Sequence, residues 1–482
     1  MSRTTKVQVP VSFSTAWVLT VFLAILFISS VCGGAGGFWI ALGLFVGLIG
    51  LRLAWRLLVQ ANEWTKRCDF FAPGVAFVLA YLAWFGIGSA NLFNVPDSIM
   101  AGTFSPIPLT QWGFYGLGLA AYGLGLWFGK VKMPVDPRSL EFRNDWVPSR
   151  FWGLIVILTL IMFGSAAAQI SQFGVPGLST LAGEERLGIR GVPHFLFASC
   201  AFTIVVLVPA YLWSRSTTRW VRIAPTLLVL CIVVALPLLQ GGRSDLVVSL
   251  LTVFLIFHYL RRRATLFPLF GLGVATVVIL SLAGYLRDYF LTSGKGMGWL
   301  EMLGLPEWMV PMTYVLLYVR YDVANFRDIT SIIPSHVPYQ HGALTFAALK
   351  TLLPGHHETA DMYFKNLLGS NFVGAGQPAT LLGPLYGDLG PLGIFAGMFL
   401  FGLIAAKAYT AMVRKQTLLS VILYAWILQT GFLALFNSLF TFITTLSMPL
   451  VWVLIDWLAR NSATSGASTT GHPPRWATPR AS

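Results

Sequence analysis

The sequence predicts an all-α integral membrane protein of about twelve transmembrane helices, with both termini in the cytoplasm and one large extracytoplasmic loop between the ninth and tenth helices. Three observations lead there. Of 482 residues, 56% are hydrophobic and only 10% charged, whereas a soluble domain carries roughly 25% charged residues. Apolar runs of the length needed to cross the hydrocarbon core, about 20 residues, recur along the chain. Lysine and arginine collect on alternate loops between those runs, as the positive-inside bias requires.

The first run, 13–33, follows Arg3 and Lys6 in the manner of a signal peptide. It is too long for one and lacks a small-residue cleavage site, so a retained helix is expected. Eight more runs follow at 37–58, 74–94, 109–129, 151–173, 194–213, 223–240, 244–260 and 265–285, and three close the set at 389–411, 417–437 and 440–459. The chain therefore divides into helices one to nine (1–285), an extracytoplasmic segment (286–388), helices ten to twelve (389–460) and a cytoplasmic tail (461–482). Ser, Thr, Gly and Pro dominate that tail, which reads as disordered. Inside 286–388, the apolar stretch 308–325 is expected to be an amphipathic helix on the outer surface, because a thirteenth crossing would carry Lys407, Arg414 and Lys415 outside. Cys32, Cys68, Cys200 and Cys231 fall at different depths, so no disulfide framework is expected.

The net charge of +14 would suggest nucleic acid in a soluble protein. Here topology accounts for it and no nucleic-acid partner is expected, since 23 of the 32 lysines and arginines fall on cytoplasmic segments. The other nine are Arg186, Arg190, Arg243, Arg287, Lys295, Arg320, Arg327, Lys350 and Lys365. Those outer cations need another reason.

Three outer segments stand out: 174–193, the turn Gln240-Gly241-Gly242-Arg243-Ser244-Asp245, and 286–388. Arg243 follows two glycines where the backbone approaches a ligand closely, and a helix begins beside it, which together suit a phosphate. A snorkelling arginine paired with Asp245 fits the same residues. Arg287 beside Asp288 and Arg320 near Asp322 likewise read either as ligand seats or as local ion pairs. In Pro354-Gly355-His356-His357-Glu358, adjacent histidines point in different directions, so no metal site is expected; a histidine or carboxylate there suits proton transfer from a sugar hydroxyl. The stretch from Gly374 to Tyr409 carries Gly376-Gln377-Pro378 and then Leu385-Tyr386-Gly387-Asp388-Leu389-Gly390-Pro391-Leu392-Gly393. Close helix packing explains Gly393, Gly397 and Gly402, but not Tyr386 and Asp388.

The Gly-Gly-Arg-Ser turn at Gly241 to Ser244, the glycine-rich stretch from Leu385 and the dozen spans with one large outer loop together resemble the O-antigen polymerase (Wzy-type) and oligosaccharide repeat-unit polymerase superfamily of bacterial membrane glycosyltransferases. The paired arginine-to-glycine spacing of some members is absent, since Phe197 and Ala201 stand eleven residues after Arg186 and Arg190. The resemblance implies a GT-C-like architecture in the bacterial inner membrane with the active site on the extracytoplasmic side. It implies metal- and cofactor-independent transfer from a polyprenyl-diphosphate-linked glycan donor to a glycan acceptor among membrane lipids, with a chain-length regulator as a candidate partner. In that light Arg243, Arg287 and Arg320, with Arg186 and Arg190 in reserve, would hold the diphosphate. Asp388, Asp288, Glu358 and His356 are candidates to deprotonate the acceptor, and Tyr386, Tyr289, Trp308 and Gln377 to stack on or bond the sugars. A ligase-like single-transfer enzyme shares this donor chemistry. A flippase of lipid-linked sugars would instead place charges near the bilayer midplane, where the spans carry almost none.

Overall fold

The computed structural model describes residues 69–90, 107–130, 140–174, 192–215, 219–240, 243–261, 310–350, 358–369, 377–436 and 443–460, together with the single positions 271, 273, 278, 281 and 282. Helices account for most of these residues, and the β-pairing among them is confined to two isolated bridges. In chain order the helices are α1 (Ala76–Ser89), α2 (Leu109–Phe128), α3 (Pro148–Phe173), α4 (Val192–Ser214), α5 (Arg219–Gln240) and α6 (Arg243–Leu260). They continue as α7 (Val310–Ile332), α8 (Ala347–Lys350), α9 (Ala360–Leu367), α10 (Leu382–Lys415), α11 (Leu418–Phe436) and α12 (Ile443–Ala459). Helices occupy nine of the twelve expected spans. The expected runs 13–33 and 37–58 lie outside the described residues, and of 265–285 only the five single positions are described, all helical.

Four helices, at Pro148–Gln172, Val192–Ser214, Leu382–Lys415 and Leu418–Phe436, are long and apolar enough to cross a membrane. Shorter apolar helices lie at Ala76–Ser89, Ile223–Val233, Val247–Leu260 and Ser447–Ala459. α4 is apolar all round and buried from Phe197 to Leu212 except at Pro209, as a helix at the centre of a bundle must be. α3, by contrast, turns Val156, Leu160 and Phe163 outward, and α12 turns Leu450, Leu454 and Trp457 outward. Such contiguous exposed apolar faces suit lipid as their solvent.

α2 and α10 approach most closely, and glycine is the reason. A Cβ on Gly125 would lie 2.2 Å from the Phe399 carbonyl oxygen, and one on Gly402 2.3 Å from that of Tyr122. The two glycines thus let the backbones touch reciprocally. Gly393 and Gly397 do something other than the expected packing against a neighbouring helix. They clear space for Leu385 of α10 itself, whose carbonyl oxygen sits 1.9 Å from a Cβ built on Gly393. The reason is a break: Leu389 (φ −140, ψ 15) and Gly390 (φ 63, ψ −145) are non-helical. α10 is therefore a short stub from Leu382 to Asp388, and a long helix restarting at Pro391, where a missing N–H costs nothing. The predicted start of this span at residue 389 coincides with the restart.

One end of the bundle gathers the basic loops. Lys130, Arg143, Arg150, Arg215, Arg261, Arg414, Lys415 and Arg460 all lie at or beside helix ends on this side. Two polar knots tie it. The buried Asp69 carboxylate accepts from Tyr259 and Tyr409 hydroxyls (2.9 Å each) and from the Phe71 amide (3.0 Å), while Tyr424 donates to the Phe71 carbonyl. This joins the start of α1 to α6, α10 and α11. In the second knot Trp146 Nε1 donates to Asp456 (2.7 Å), Arg460 pairs with the same carboxylate (2.7 Å) and Arg215 donates to the Trp146 carbonyl (2.6 Å).

Substitution should separate the close α2–α10 contact from the open glycines of α2. Gly125→Ala and Gly402→Ala are expected to destabilise the protein by about 1–3 kcal/mol each through overpacking. Gly116→Ala, with nothing within 4 Å of its Cβ, should be neutral or gain a few tenths in helix propensity. Thermal unfolding of the three variants in detergent measures the difference.

Candidate functional site

At the opposite end of the bundle, α7, the segment 333–347, α9 and the segment 377–388 close over one another as a polar cap. α7 is its spine. Helical period places Arg320 and Arg327 on one face, Tyr321 and Asn325 on a second, and Asp322 on a third. Residues 319–326 are buried save for the half-buried Tyr321, so the middle of this expected amphipathic helix is covered by protein. Gly88 admits it: a Cβ there would lie 2.5 Å from the Val323 side chain.

Arg320 is 4% exposed and donates to the Gly88 carbonyl at 2.9 Å. The last carbonyls of α1 lack helical partners and carry partial negative charge, so a guanidinium belongs there. Burial, then the neighbouring charge of Arg327, push the Arg320 pKa down to about 10, which leaves it cationic at neutral pH. Arg327 itself is held by Asp328 at 2.8 Å.

The second face of α7 meets the segment before α10. Asn325 Nδ2 donates to the Pro378 carbonyl (2.8 Å), and Gln377 Nε2 bonds the Tyr321 hydroxyl and Asn325 Oδ1 (3.4 Å). The Gln377 amide N–H reaches back to the Asp361 carbonyl of α9 (2.9 Å). Tyr386 is buried, donates to the Ile333 carbonyl (3.2 Å) and packs edge-on against Phe326 and Tyr339, which makes it a brace between α10 and α7. Asp388 is 2% exposed and accepts from two successive amides, Leu344 (3.0 Å) and Thr345 (2.7 Å). Both its oxygens therefore hold the 340–345 turn against the stub of α10. Glu358 is exposed, accepts from Asn366 Nδ2 and, with Asp388, raises the pKa of the Tyr363 phenol, whose burial is the larger cause.

Five residues expected from sequence thus converge here: Arg320, Glu358, Gln377, Tyr386 and Asp388. Arg243 is the first residue of α6 at the same end of the bundle, as the hairpin reading anticipates. Arg186, Arg190, Arg287, Asp288, Tyr289, Trp308 and His356 lie outside the described residues. The pairing of Arg320 with Asp322 is not what forms. Residues two apart on a helix face different ways, and among the described residues neither Asp322 oxygen has a hydrogen-bond partner. Tyr321, Asn325 and Arg327 also belong to the cap, their signal in sequence being the polar periodicity of 320–328 inside an otherwise apolar helix, and so does Asp361 in the first turn of α9.

Among the described residues, helices with lipid-suited faces, a basic end and a polar cap at the other end are those of a membrane protein. Its family is shown by comparison: the O-antigen polymerase model matches residues 115–435, and the chain belongs to that family. The match runs from Tyr115 in α2 to Leu435 in α11 and takes in every candidate from Arg186 to Asp388. The protein is accordingly a polymerase-like membrane protein of polysaccharide biosynthesis, of glycosyltransferase type, acting on lipid-linked glycans. No curated protein and no solved structure matches it.

If the Asp388 carboxylate holds the turn, Asp388→Asn replaces one acceptor oxygen by an NH2 that opposes a backbone N–H. The loss should be about 1–3 kcal/mol, read as faster hydrogen exchange at the Leu344 and Thr345 amides with the bundle interior unchanged.

Proposed function

We propose that the protein polymerises oligosaccharide units from a polyprenyl-diphosphate-linked donor on the outer face of the bacterial plasma membrane. The observation that carries this is Arg320, a guanidinium buried in the polar cap with Arg327 two turns away on the same helix face. A sugar diphosphate leaving group develops negative charge as its anomeric bond breaks, and preorganised arginines in a low-dielectric setting stabilise that charge. In the transfer the acceptor hydroxyl oxygen bonds to the anomeric carbon, the bond to the diphosphate oxygen breaks, and the hydroxyl proton passes to a carboxylate or histidine. Arg243, Arg287 and Arg320 take the diphosphate. Glu358 is the exposed proton acceptor among the described candidates, near His356 in sequence, while Asp388 positions the 340–345 turn.

The orientation is supported by the segregation of charge. The basic end of the bundle belongs in the cytoplasm by the positive-inside bias, which puts the cap outside with both termini in. Metal-independent chemistry follows from the resemblance to Wzy-type enzymes, as does a GT-C-like arrangement of twelve spans. A ligase-like enzyme making a single transfer would use the same cap with a different acceptor.

Deleting the gene in its native bacterium should abolish the surface polymer and accumulate single lipid-linked repeat units, which wild type restores. Arg320→Ala and Arg243→Ala proteins that insert normally should fail to restore it, by a factor of about 100 or more in polymer yield. A glycan short of one sugar would establish single transfer. Unchanged glycans, or intermediates held on the cytoplasmic leaflet, would overturn the enzyme reading in favour of transport.

A further inference from the structure

We propose that Asp322, Asp361 and Gln377 form a binding site for a hard divalent cation, Ca2+ by its chemistry, which staples α7 to α9 and to the segment leading into α10. Asp322 is fully buried, yet among the described residues neither of its carboxylate oxygens meets a donor, and Gln377 Oε1, on a side chain 7% exposed, meets none either. A second carboxylate, Asp361 in the first turn of α9, lies close enough to repel the first, adding to the effect of burial in raising the Asp322 pKa. Gln377 is fixed beside it through the bond from its amide N–H to the Asp361 carbonyl (2.9 Å). Three side chains nearby donate elsewhere: Asn325 Nδ2 to Pro378, Gln377 Nε2 to Tyr321 and Asn325, and Arg320 to Gly88 on another face of α7. Orphaned buried acceptors cost free energy unless satisfied, and here what the position lacks is positive charge.

Carboxylate and amide oxygens are hard ligands that select Ca2+ or Mg2+ over zinc or copper. Asp322 has both oxygens available for bidentate ligation, which suits the flexible coordination of Ca2+ better than the strict octahedron of Mg2+. Among the described residues no cluster of three or more acidic, histidine or cysteine side chains forms, so water completes the shell and the affinity is low. A dissociation constant of roughly 0.1–1 mM, the range of extracellular calcium modules, is expected. The rival occupant is a proton on Asp322.

Full-length protein in detergent, stripped with EDTA, distinguishes them. Ca2+ at about 1 mM should raise the unfolding midpoint, Mg2+ less so, and Tb3+ should luminesce through sensitisation by Tyr321. Asp322→Asn and Asp361→Asn should each abolish both responses, whereas Asp328→Asn should keep them. Should Asp322→Asn not fold, Asp361→Asn and the wild-type titrations decide. Absence of both responses in wild type overturns the site and leaves Asp322 held by its own proton. Persistence of the responses in the asparagine variants overturns it too, since the ion then binds elsewhere. The readouts are binding and stability, so they stand apart from the polymerase reading.

Discussion

A helix in lipid satisfies its backbone from within, so any break in it frees N–H and C=O groups that must find partners elsewhere. α10 breaks at Leu389 and Gly390, and the rest of the cap is organised around the groups set free. The Gly387 and Asp388 carbonyls accept from Gln340 (2.9 Å) and His341 (3.1 Å), and the Asp388 carboxylate takes the next two free amides in the same turn. Gly390 occupies the left-handed region at φ 63 and lies against the Tyr339 ring, with no room for a side chain. The result is a stub that belongs to the cap and a long helix that belongs to the bundle.

The two ends of the molecule solve the problem of buried polar groups differently. At the basic end, each buried carboxylate is matched: Asp69 by two phenols and an amide, Asp456 by an indole and an arginine. These are complete networks of the kind that rigidify a fold. The cap, by contrast, keeps buried acceptors at Asp322 and Gln377 that have no hydrogen-bond donor among the described residues.

The spans were legible because apolar length is a local property, and helices occupy the expected stretches from α1 to α6 and from α10 to α12 within a few residues. The family was legible from two short motifs and an architecture. What could not be read were pairings across long separations. The partners of Asp388 lie 44 and 43 residues back, so an outer aspartate beside a tyrosine read as chemistry although the fold uses it as a clasp. Tyr386 and Gln377 both lie in the cap, yet their bonds to Ile333 and Asn325 depend on a helix that hydropathy alone left on the surface. Asp322 was masked by its neighbour, since proximity in sequence suggests an ion pair with Arg320 that the helical screw forbids.

The knot at Asp69 has a mechanical meaning. Four helices are clamped at their basic ends, while above the interruption in α10 the covering elements hang on side-chain and turn hydrogen bonds. The cap is also packed against the core, with Phe326, Ile333, Phe364 and Leu382 fully buried. The backbone at Leu389 and Gly390 is non-helical, so α10 is not one continuous rod from the cap to the basic end. The break thus lets the cap take an orientation that the long helix of the bundle does not dictate.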